Sequence, residues 1–146
     1  MKRYLISLIF CFGCIIFGIF HECGFRLIYL NIFSFITIGI LPIIYMGILF
    51  GLKEISLAFF ETFKKEHEKN QLEKGLNFFN LYGKTIWVTC ITAIILVFIA
   101  MMVVYEDKTQ LGAYLGYMSN NIFYCGIITL TIIIPYTVFI KRKLLE

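Results

Sequence analysis

TIWVTCITAIILVFIAMMVVY, residues 85–105, is the stretch that decides the fold. It runs for 21 residues without a charged side chain. As a helix rising ~1.5 Å per residue it reaches ~30 Å, the thickness of the hydrocarbon layer of a bilayer. The reading is therefore a membrane-spanning helix. Outward from it the character changes at once. Lys84 stands on one side, and Glu106-Asp107-Lys108-Thr109 on the other. Beyond these flanks lie further uncharged runs at residues 4–20, 27–51 and 111–140. Together they predict an all-α integral membrane protein with four transmembrane helices and a short helical hairpin at residues 53–84.

Composition agrees. The chain has 146 residues, 60% of them apolar. Soluble domains run nearer ~45–50% apolar, so hydrocarbon is the solvent for most of this surface. The length fits one membrane domain, residues 1–146. Eleven of the thirteen Lys and Arg residues fall in three places: Lys2 and Arg3, the stretch 53–84, and Lys141, Arg142 and Lys143. By the excess of basic residues on cytoplasmic faces, both termini and the hairpin are expected in the cytoplasm. The net charge of +4 is explained by these span ends, so no nucleic-acid partner is expected. Lys2 and Arg3 before an apolar run resemble a signal peptide. No small-residue cleavage site follows, and the run reads as a retained first span. Cys11 and Cys14 form a C-x-x-C pair inside that run, with no second pair to complete a metal site. They read as small apolar side chains.

Function is bounded by an absence. No run contains Asp, Glu, Lys, Arg or His in its interior. A proton crossing a membrane needs an ionisable group at depth, so a partner would have to supply it. No enzyme is expected: His21 and His67 fall on opposite sides of the predicted topology, and no paired carboxylates or Ser/His arrangement lies in the spans. No metal or cofactor is expected either. The polar groups at depth are Ser, Thr and Asn. Thr85, Thr89 and Thr92 share one helical face. Their hydroxyls either bond to backbone one turn back or line a hydrated wall. Asn120 and Asn121 point to adjacent sectors of the fourth span, and an unpaired buried amide is costly. Thr89, Thr92, Asn120 and Asn121 are the candidate ion pathway. Pro42 and Pro135 are expected to shape their helices. In the hairpin, apolar stripes at Ile55, Phe59, Phe63 and at Leu72, Leu76, Phe79 predict two amphipathic helices, with a break near Asn70 or Gly75. Its mixed charges are either a solubilising face or a docking surface, for which Glu61, Lys64 and Lys65 are the candidates.

The order of these features resembles the MotA/TolQ/ExbB proton channel family. The resemblance rests on the acidic turn Glu106-Asp107-Lys108-Thr109, the Gln110-Leu111-Gly112 step, then Met118, Gly126 and Pro135. Tyr29-Leu30-Asn31-Ile32-Phe33-Ser34 is similar to the family's entry to its second span, and residues 72–83 to the helix leading into its third. The resemblance implies a stator or energy-transducing subunit in a bacterial inner membrane. Five copies would surround single-span partners of the MotB/TolR/ExbD type, which bring the ion-carrying carboxylate. The family's pore threonines are not carried over: they fall on Ala93-Ile94 and on Ile122 and Phe123. The alternatives are a non-conducting scaffold of the same fold and an unrelated small four-span accessory protein.

Overall fold

The computed structural model describes residues 31–61, 69–103 and 108–145, together with residues 6, 9, 10 and 13. Apart from those four, the first predicted span at 4–20 lies outside the described residues. So do His21, Glu22, Arg26, Lys64, Lys65 and His67. Every described element is a helix. They run in the order α1 (Ile32–Phe50), α2 (Leu52–Glu61), α3 (Lys69–Val103) and α4 (Gln110–Leu145). Three of them, α1, α3 and α4, are long and apolar enough to cross a membrane.

Asn31 starts α1. Its extended backbone and side-chain oxygen cap the helix, Oδ1 accepting from the amides of Phe33 (3.0 Å) and Ser34 (3.2 Å). Two orphan amides are satisfied in this way. The second span, expected from residue 27, therefore opens as a helix at Ile32.

A wider turn stands upstream of each proline. Pro42 is preceded by a π-helical turn at Phe35–Ile40, and Pro135 by another at Thr129–Ile133. At the ends of these turns Leu41 donates to Ile36 O and Ile134 to Thr129 O, five residues back in each case. Proline has no N–H to give, and its ring pushes on the carbonyl four residues earlier. A wider turn just upstream absorbs both effects without breaking the helix.

Gly51 ends α1. Its φ is +82°, a backbone that side chains other than hydrogen rarely adopt, and α2 leaves in a new direction. Gly51 thus makes the joint between the two helices.

No break falls at Gly75, which lies inside α3; Asn70 is the second residue of α3, and the stretch before Lys69 lies outside the described residues. The helix α3 is continuous over 35 residues, from the charged segment into the apolar span. Its buried positions explain why. Leu72, Gly75, Phe79, Tyr82, Ile86, Cys90 and Ala93 are spaced by three and four throughout. One seam thus serves both halves. Gly75 belongs to that seam. A Cβ there would lie 3.5 Å from Ile140 and 4.0 Å from the Ala58 backbone, so the missing side chain lets α2 and α4 close on α3.

Paired contacts set the directions. Phe50 meets Phe78 (ring centroids 5.7 Å apart) and Thr85 Oγ1 lies 3.9 Å from Met46 Sδ, so α1 and α3 are antiparallel. Phe79 stacks on Tyr136 (4.8 Å), and a Cβ on Gly83 would lie 3.1 Å from Ile133, so α3 and α4 are antiparallel too. Phe35 against Tyr124 places the start of α1 beside the middle of α4. At the charged end Phe59 of α2 touches Phe78, Phe79 and Tyr136 at 6.1, 5.1 and 5.2 Å. This aromatic group clamps α2 to the other two helices.

Candidate functional site

On α4, Asn121 and Cys125 are fully buried, and Thr129 follows one turn later. Residues four apart lie nearly above one another on a helix, so these three share a stripe. Facing it are Cys90 from α3, whose thiol hydrogen-bonds that of Cys125, and the first turn of α1. Ser34 of that turn is also fully buried.

The stripe is polar and unsatisfied. Neither Oδ1 nor Nδ2 of Asn121 has a hydrogen-bond partner, and neither does Ser34 Oγ. The hydroxyl of Thr137 is likewise buried without a partner, while that of Thr129 faces the Cys125 thiol. Buried polar groups are ordinarily paired, because each unpaired one forfeits its hydration. Serine and threonine hydroxyls can turn to a carbonyl of the preceding helical turn, as Thr131 does to Ile127 O at 2.7 Å. An asparagine amide carries two donors and two acceptor sites, and one rotation cannot satisfy them all. Asn121 is therefore the most exacting group at depth.

The other candidates are placed differently. Asn120 is half-buried, one residue round the helix from Asn121. Thr92 is exposed on α3 and donates to Val88 O at 2.9 Å. Thr85 donates to Leu81 O at 2.9 Å. Thr89 is half-buried and lines an open groove between α1 and α3. Each threonine sits one residue before a buried one (Ile86, Cys90, Ala93), about a quarter-turn off the seam. The threonine face of α3 and the asparagine stripe of α4 thus do not converge inside one chain. The backbone of Glu61 ends α2, while its side chain, Lys64 and Lys65 fall outside the described residues.

Ser34, Cys90 and Cys125 were missed by sequence reasoning. Cys125 had a signal: Asn121, Cys125 and Thr129 recur at intervals of four. Ser34 had none, since its burial depends on the packing of α1 against α4. Among the described residues no group of three or more His, Cys, Asp or Glu is placed to hold a metal ion. No charged residue occurs on α3 between Lys84 and Val103, or on α4 before Lys141. No family model, curated protein or solved structure matches this chain.

Proposed function

We propose that the protein is a stator or energy-transducing subunit that couples ion flow to mechanical work beside a single-span partner. The carrying observation is the chemistry at depth: a buried, unpaired Asn121 and several hydroxyls, with no Asp, Glu, Lys, Arg or His on α1, on α3 beyond Lys84 or on α4 before Lys141. Amides and hydroxyls solvate ions and pass hydrogen bonds, but they do not hold a proton near neutral pH. The partner, of the MotB/TolR/ExbD type, then brings the carboxylate. The same reading has the subunit in a bacterial inner membrane, as a homopentamer, with four spans and both termini in the cytoplasm. Its support is the resemblance of residues 106–112, Met118, Gly126 and Pro135 to the MotA/TolQ/ExbB pattern.

The test is reconstitution in vesicles with the candidate partner. Partner-dependent flux is expected, and replacing Asn120 and Asn121 together with Leu abolishes it. Unchanged flux removes those residues from the pathway. Particle imaging in detergent is expected to show five copies, and a monomer counts against the whole reading.

A second reading, a non-conducting scaffold, is favoured by the hydroxyls of Thr85 and Thr92. Both are tied to their own helix backbone rather than turned toward a pathway. It predicts no flux with any partner, and loss of partner binding when the exposed charges of α2 are replaced.

A further inference from the structure

Between α1 and α3 lies an open groove of about 530 Å³. Its walls are two helical faces, Leu41, Tyr45 and Ile48 on α1 and Leu81, Val88 and Thr89 on α3. Pro42 lies in its floor, and there Thr85 approaches Met46 at 3.9 Å. The groove begins at Leu41, where the π turn ends and Pro42 follows. Its size falls within the ~300–1,000 Å³ typical of small-molecule sites.

One charge lines it. Lys84 is exposed and, among the described residues, has no ion-pair partner and no acidic neighbour lining the groove. The antiparallel register puts Ile48 and Leu81 at the end nearer the charged segment, and Leu41 and Thr89 at the deep end. On α3 the side chains tilt toward its N-terminus, so the Lys84 ammonium is directed toward that charged end. An apolar trough about 12 Å long, eight residues of helix, therefore opens under a single unneutralised cation.

We propose that this groove is a binding site for an anionic phospholipid, with the acyl chain against Ile44, Ile48 and Val88 and the headgroup phosphate on Lys84. The choice of occupant rests on charge. A zwitterionic lipid or an apolar helix fills the trough but leaves Lys84 without a counter-charge. A phosphate diester with no attached cation supplies it. The site shares Thr89, at its deep end, with the candidate ion pathway, but neither Lys84 nor the acyl-chain contacts belong to that pathway.

The experiment uses the full chain, purified and placed in nanodiscs containing equal amounts of phosphatidylglycerol and phosphatidylcholine with identical acyl chains. Retained lipid is measured by native mass spectrometry. Phosphatidylglycerol is expected to be retained about fivefold over phosphatidylcholine, the worth of one lysine against an anionic headgroup. Lys84→Gln abolishes the preference and Lys84→Arg keeps it. Val88→Trp, which fills the trough, lowers retention of both lipids. Equal retention of the two lipids by the unaltered protein overturns the proposal, as does an unchanged preference in Lys84→Gln. A preference unchanged in Val88→Trp while the assembly dissociates also overturns it, because a second copy then occupies the groove.

Discussion

Asn121 is fully buried with both ends of its amide unpaired, at a cost of about 1–3 kcal/mol. Replacing it with Leu removes that cost at similar volume. Asn121→Leu is therefore expected to raise the thermal unfolding midpoint in detergent while partner-dependent flux is lost. A lowered midpoint would mean that the amide is satisfied in the membrane. Gly75 makes the opposite case. Gly75→Leu drives a side chain into Ile140 and the Ala58 backbone, and a loss of about 1–3 kcal/mol is expected in denaturant titration. At Gly51 the space is open but φ is +82°, so Gly51→Ala costs about 1–2 kcal/mol through strain alone. The sequence marked the two adjacent asparagines as polar groups at depth. Which of them turns inward is decided by the packing of Phe35 against Tyr124, a contact 89 positions apart in the chain.

At the scale of elements, spans α1, α3 and α4 were legible because hydrocarbon solvent leaves an unbroken apolar signal over a known length. The uninterrupted passage through Gly75 was not. A glycine among polar residues reads as a break, although it belongs to the single buried seam that runs from Leu72 to Ala93. Exterior composition reports the solvent, whereas continuity of the helix is set by the interior. The pairing of α3 with α4 has its own test. In a variant keeping only Cys90 and Cys125, the oxidant diamide takes two electrons and two protons from the thiols and leaves a disulfide. Loss of both alkylatable thiols and a mass lower by two hydrogens are expected. Two thiols still alkylatable after oxidation would contradict this register.

The whole molecule places α2 and its aromatic clamp at one end of the bundle and the first turn of α4 at the other. On the proposed topology these ends face opposite sides of the membrane, with the hairpin inside. In a cysteine-free background, Gln110→Cys and Glu73→Cys are expected to react with an impermeant maleimide from opposite sides, Glu73→Cys only after the membrane is opened. Labelling of both from one side would refute the arrangement. The two π turns have a further consequence, for tolerance of length change. Such a turn holds one residue more than the α turn it replaces. Deleting one residue from Phe35–Ile40 or from Thr129–Ile133 therefore lets the helix close to ordinary geometry, with every residue beyond keeping its facing. A deletion elsewhere in α1 or α4 rotates everything downstream by about 100°. These spans have one place each where the chain can change length without changing what it shows its neighbours.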